Sequence, residues 1–95
     1  MRIRFTKRAR ADLDAIFRYI AADNPRAAAN LVGRIENLID KLGLFTGLGH
    51  PTRPPGRYVL TVAGAPYQVY YRLTRDEVRI LRVRHTSRRP QRTRP

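Results

Sequence analysis

The 95-residue chain contains no cysteine. Disulfides, thiolate nucleophiles and cysteine-ligated zinc are therefore excluded. It has only two histidines, His50 and His85, and seven acidic side chains. A metal site would have to draw on that small set, so none is expected. Apolar residues nowhere run long enough to span a bilayer, and Met1-Arg2-Ile3-Arg4-Phe5-Thr6-Lys7-Arg8 has no apolar h-region. A cytoplasmic protein without a membrane partner is the expectation. A chain this short builds one core and has no room for a deep cofactor cavity, so no cofactor is expected. No helix-turn-helix, RNA-binding or zinc motif is recognisable.

What the chain has in excess is positive charge. Twenty Lys and Arg against seven Asp and Glu give a formal net charge of +13. Such a surplus repels itself and attracts polyanions, so nucleic acid or an acidic protein is the expected partner. Eighteen of the twenty cations are arginine. Arginine offers a planar fork suited to phosphate and carboxylate. An Arg-rich genomic composition explains the ratio equally well, but not the net charge.

Arg2-Ile3-Arg4-Phe5 alternates polar and apolar residues, as a short half-buried strand does. Thr6 stands where a helix N-cap belongs. Ala9, Leu13, Ile16, Phe17 and Ile20 then follow helical spacing, with Asp12 and Asp14 on the polar side. Asp23-Asn24-Pro25 ends that helix and starts another, Asn24 capping and Pro25 filling the first turn. The second helix carries Ala28, Leu31, Val32, Ile35, Leu38, Ile39 and Leu42 on one stripe. Two helices joined so closely form an antiparallel hairpin.

Residues 43–56 contain four Gly and three Pro and read as a loop. Three strands are expected after it, over residues 57–62, 67–73 and 78–84, joined by the turns Ala63-Gly64-Ala65-Pro66 and Thr74-Arg75-Asp76-Glu77. In the last strand Val78, Ile80 and Val83 read as core, and Leu81-Arg82 breaks the alternation as a bulge would. The expected architecture is α+β, in the order β-α-α-β-β-β, with the helical hairpin on a small antiparallel sheet. Residues 1–88 are expected to form one domain. Residues 89–95, rich in Arg and without apolar side chains other than Pro, are expected to be a disordered basic tail.

Five local patterns, in order over residues 3 to 90, resemble the RelE/ParE toxin family of type II toxin–antitoxin systems. The helix entry Phe5-Thr6-Lys7-Arg8-Ala9-Arg10-Ala11-Asp12-Leu13-Asp14-Ala15-Ile16 is similar to its T-x-x-A-x-x-D-L-x-x-I opening. Asn24-Pro25-Arg26-Ala27-Ala28 resembles its inter-helix turn. Leu48-Gly49-His50-Pro51 with Arg57-Tyr58 resembles a shortened P-x-x-G-x-P loop and its following Arg. Tyr67-Gln68-Val69-Tyr70-Tyr71-Arg72 resembles its Y-x-V-x-Y-R strand. The run from Ile80 to Pro90, including His85 and Arg88, resembles its I-L-R-V-x-H-x-x-R-x-P ending.

The resemblance implies one of two targets. RelE-like members cut mRNA in the ribosome, whereas ParE-like members poison DNA gyrase without known catalytic residues. RelE-like toxins usually place Arg after the tyrosine that opens the Y-x-V-x-Y strand; here that residue is Gln68. They also tend to end in a catalytic tyrosine, and no tyrosine follows Tyr71. The resemblance is therefore nearer the ParE branch. It implies a gyrase inhibitor without catalytic residues that is held by a cognate acidic antitoxin in a hetero-oligomer. A third reading, a non-toxic basic nucleic-acid-binding protein, lacks a supporting motif.

Arg82, Arg84, His85, Arg88 and Arg89 are the expected target-binding residues. If the chain instead cleaves mRNA, His85 would act as base while Arg82 and Arg84 hold phosphate. That chemistry needs a second titrating group, and a strand-end histidine bonded to backbone is the plainer reading of His85. Tyr67, Tyr70 and Tyr71 interleave with Arg57 and Arg72 and could stack on RNA bases. Sheet packing is the expected role for these tyrosines. Ile16, Ile20, Leu31, Leu38 and exposed faces of Leu60 or Val62 are the expected antitoxin groove, although core packing accounts for the same residues.

Overall fold

Two helical stripes and four strand-spaced ones must share one core in so short a chain. The computed structural model describes residues 1–87. Arg88, Arg89 and the expected tail lie outside the described residues. The elements are β1 (Arg2–Phe5), α1 (Lys7–Ala21), α2 (Pro25–Leu42), a 3-10 turn (Thr46–Leu48), β2 (His50–Pro51), β3 (Arg57–Thr61), β4 (Tyr67–Leu73) and β5 (Glu77–His85).

Both helix starts follow from local chemistry. The Thr6 side chain accepts from the Ala9 amide at 3.1 Å, and its hydroxyl donates to the Leu81 carbonyl at 3.1 Å. One residue thus caps α1 and fastens it to β5. Asn24 accepts from the Ala27 amide at 3.1 Å, with Pro25 in the first turn of α2. The two helices pack on each other and turn Leu13, Ile16, Ile35 and Ile39 into the core.

The sheet order is β1-β5-β4-β3-β2. The expected helical hairpin on a sheet is present, but the sheet is mixed rather than antiparallel. β1 pairs parallel to β5, with Ile3 opposite Val78 and Phe5 opposite Ile80. Parallel neighbours require a long crossover, and the helical hairpin supplies it. β3, β4 and β5 are joined by short turns and pair antiparallel. β2 is a further short strand, in which His50 and Pro51 pair with Val59 and Tyr58 inside the expected loop.

β5 therefore lies between β1 and β4, where both strand edges find partners. Val78, Ile80 and Val83 are buried as expected. The expected bulge is also present: Tyr70 faces Arg82 and Tyr71 faces Ile80, leaving Leu81 without a partner. The extra residue lets Ile80 and Val83, three apart, both point into the core. Ile35, Ile39 and Leu42 of α2 meet Val69, Tyr71, Val78 and Ile80 there, all of them fully buried. Successive strand residues point to opposite faces. Val69 and Tyr71 thus face the helices, while Gln68, Tyr70 and Arg72 face away from them.

An Arg-lined groove and its supports

A groove of about 290 Å³ runs over β3, β4 and β5. The loop before β3 contributes Thr52 and Arg53, β3 contributes Arg57 and Tyr58, β4 contributes Tyr70 and Tyr71, and β5 contributes Leu81, Arg82 and Arg84. Four of these nine side chains are arginine, and none is a carboxylate or histidine. Fixed positive charge in a concave site concentrates anions.

Arg82 is less available than its sequence position implies. Its Nε donates to Asp12 Oδ2 at 2.8 Å and its Nη2 to Oδ1 at 3.2 Å. Asp12, expected on the polar side of α1, is instead turned onto β5. The reason lies in the sheet edge. β1 ends at Phe5, opposite Ile80, so the Val83 amide beyond it has no strand neighbour on that side. Asp12 Oδ2 accepts from that amide at 2.9 Å and takes the guanidinium as well. The hydrogen bond from Arg82 to Asp12 raises the arginine pKa further, keeping it charged under all ordinary conditions.

The groove floor is held by Tyr71. Its hydroxyl donates to the Thr46 carbonyl at 3.0 Å and accepts from the Gly49 amide at 2.9 Å. Tyr58 stacks on the same ring, with centroids 5.4 Å apart. Tyr67 and Tyr71 are buried in sheet packing, as expected, whereas half-buried Tyr70 donates to Gln68 Oε1 at 3.1 Å.

Burial pushes the Tyr71 phenol above its usual value near 10, partly opposed by the Gly49 hydrogen bond. The folded state therefore favours the protonated phenol. Its contribution is fully present below the unfolded pKa and is lost as pH rises through the folded one. Urea denaturation between pH 9 and 12 is expected to show stability falling more steeply in the wild type than in Tyr71→Phe. Equal slopes would contradict this role.

The three residues of the alternative, RNA-cleaving reading lie on two faces of the sheet. Arg82 and Arg84 line the groove, but His85 pairs with Tyr67 on the helix side of the sheet. The two rings meet edge to face with centroids 5.0 Å apart. His85 Nδ1 accepts from the Ser87 amide at 3.1 Å, the backbone-bonded arrangement that a strand-end histidine favours. Among the described residues, no three His, Cys, Asp or Glu side chains gather as a metal site. No helix there is long and apolar enough to cross a membrane.

The expected antitoxin residues divide in two. Ile16 and Val62 belong to the core, and Val62, 3% exposed, does not present the exposed face expected of it. Ile20, Leu31, Leu38 and Leu60 are only partly buried around that core. Leu38 and the edge of Val62 border a second hollow of about 260 Å³, rimmed by Arg34 and Lys41. Sequence reasoning missed Asp12 and Tyr71 as supports of the groove. It also missed Leu44 and Phe45, apolar side chains exposed after α2.

The chain resembles proteins of one kind. The family model for the ParE toxin of the parDE type II toxin–antitoxin system matches residues 3–90. A protein named toxin Y4kP from Sinorhizobium fredii is 44% identical over 84 residues, covering 88% of this chain and 86% of its own length. A chain in the chromosomal ParDE system of P. aeruginosa superposes with a TM-score of 0.80 at 31% identity, over 92% of this chain and 97% of that one. A chain in the RelBE2 toxin–antitoxin complex of Mycobacterium tuberculosis gives 0.61 at 28% identity, over 88% of each. With the family model running through both helices and every strand described above, the chain belongs to the RelE/ParE family of toxins of type II toxin–antitoxin systems.

Proposed function

We propose that this toxin inhibits DNA gyrase by binding to it, and that a cognate acidic antitoxin neutralises it. The observation that carries the reading is the separation of the groove arginines from the strand-end histidine. Four arginines line the groove, while His85 stands on the other face of the sheet against Tyr67. General acid–base scission of RNA needs a titrating group within reach of the reacting oxygen. A binding inhibitor needs only shape and charge. Arg84, with Arg82 held by Asp12, forms the described part of the target surface; Arg88 and Arg89 extend it in sequence.

The second reading is a ribosome-dependent endoribonuclease acting on mRNA. Similarity to a chain of the RelBE2 complex favours it, and an Arg-lined groove suits an RNA phosphate. Purified toxin added to gyrase and supercoiled plasmid separates the two. Accumulation of cleaved, enzyme-bound DNA is expected, and Arg84→Gln should weaken it several-fold. Unimpeded gyrase, together with cut mRNA on programmed ribosomes, would reverse the assignment.

The antitoxin would seat an acidic, apolar-anchored segment at the Leu38–Val62 hollow, where Arg34 and Lys41 supply the rim charge. Attraction between an acidic segment and a chain of +13 accelerates association and is screened by salt. Antitoxin is expected to raise the melting temperature of the toxin. Its affinity is expected to fall about tenfold or more between 50 and 500 mM NaCl in calorimetry. A salt-independent affinity would contradict an electrostatic interface.

A further inference from the structure

Strand register aligns four arginines that are far apart in sequence. Arg4 of β1 lies opposite Arg79 of β5, Arg79 opposite Arg72 of β4, and Arg72 opposite Arg57 of β3. They form one lateral row across four neighbouring strands. Directly paired residues share a sheet face, so the row lies on the Gln68–Tyr70–Arg72 side, away from the helices. With strands about 4.8 Å apart, three steps span about 14 Å at the backbone.

A row of like charges directly opposite one another destabilises a sheet. The protein offsets this cost at one end only. Buried Glu77 pairs with Arg79 at 2.8 Å and reaches Arg4 at 3.8 Å. Arg72 and Arg57 are exposed and make no ion pair among the described residues. The half of the row nearest the groove is therefore left with facing, uncompensated cations. Arg57 belongs to both features, so row and groove form one continuous basic surface.

We infer that this row binds the sugar–phosphate backbone of DNA directly. A regular file of guanidinium groups matches a polymer with regularly spaced anions, and bound phosphates would remove the repulsion between Arg72 and Arg57. Tyr70 is the only aromatic side chain alternating onto this face of β4, and it is half-buried. The face therefore contacts backbone rather than stacking successive bases, which makes binding indifferent to sequence. The choice of DNA over RNA as the source of phosphate rests on the gyrase reading; the phosphate contact itself does not. The toxin would then hold the DNA segment beside its target, using strands β1 and β3–β5 as the contact.

The test is fluorescence anisotropy of the full chain with a labelled 20-base-pair duplex and a single-stranded RNA of equal length, without gyrase, from 50 to 300 mM KCl. The row's net charge of three, four arginines less Glu77, predicts a slope of log affinity against log salt of about −2.7 on the duplex. Arg57→Gln/Arg72→Gln should reduce its magnitude by about 2. Arg8→Gln/Arg26→Gln, which removes the same charge from exposed helix positions, should leave it unchanged. Both substituted arginines lack ion-pair partners, so the fold should persist; if the double variant does not melt cooperatively, Arg72→Gln alone should reduce the slope by about 1. Equal losses in the row and helix variants would overturn the inference, since net charge alone would then explain binding. An unchanged slope in the row variant would overturn it as well. Tighter binding of the RNA than the duplex, with the same loss in the row variant, would overturn DNA as the source of phosphate. Because gyrase is absent, a failed gyrase assay and a failed phosphate contact give separate results.

Discussion

Gly49→Ala is expected to cost about 3–4 kcal/mol, a large share of the stability of a domain this size. A Cβ at residue 49 would stand 2.6 Å from the Tyr71 hydroxyl oxygen, 2.8 Å from its Cε1 and 2.8 Å from the Val59 carbonyl oxygen. None of these atoms can yield cheaply. The ring is fully buried and stacked on Tyr58, and the carbonyl belongs to the backbone of β3. Overpacking of a rigid site costs about 1–3 kcal/mol. Displacing Tyr71 would also weaken its bonds to Thr46 and Gly49, each worth about 1 kcal/mol. Adding Tyr71→Phe removes the nearest clashing atom and should restore part of the loss, a coupling that chance destabilisation would not produce. Urea unfolding measures both effects. A Gly49→Ala variant within about 0.5 kcal/mol of the wild type would contradict the close packing of this loop on the sheet.

The second large effect is expected at Asp12. Replacing it with alanine leaves the Val83 amide without its acceptor and Arg82 without its partner, at a side-chain site where the aspartate is only 17% exposed. An unsatisfied buried donor costs about 1–3 kcal/mol, and separating a mostly buried ion pair adds to it. A total near 3 kcal/mol should lower the melting temperature by roughly 10–20 °C. Arg82→Gln should then cost less in the Asp12→Ala background than alone, by about 1 kcal/mol. Additive losses would mean that the pair does not act as a unit. The Asp12 substitution also tests function. It frees the Arg82 fork beside the bulge, so target binding should change even at temperatures where the variant remains folded.

Features set by short stretches of sequence were legible in the chain. Thr6 and Asn24-Pro25 announce their helices because caps are local chemistry. The helical stripes name Leu13, Ile35 and Ile39 as core because apolar periodicity is local too. Even the β5 bulge shows, since Leu81-Arg82 interrupts an otherwise regular alternation.

What stayed hidden depends on register between distant strands. Asp12 reads as a solvent-facing helix residue until β1 is known to stop opposite Ile80 and expose the Val83 amide. The parallel placement of β1 follows from the long helical crossover rather than from any residue within Arg2–Phe5. His85 looks like a companion of Arg84, yet neighbours in a strand face opposite ways, which parts them. The four-arginine row is the extreme case. Its members are ordinary strand arginines singly, and only pairing across β1, β5, β4 and β3 makes them a row.

Induced expression of the toxin without its antitoxin tests the central claim most directly, with chromosome breakage and the SOS response scored against mRNA cleavage mapped by transcript ends. Gyrase inhibition predicts DNA breaks and SOS induction while transcripts remain intact. Cuts at codon positions in mRNA without DNA damage, lost on His85→Ala, would contradict it and make His85 with Arg82 and Arg84 the catalytic residues.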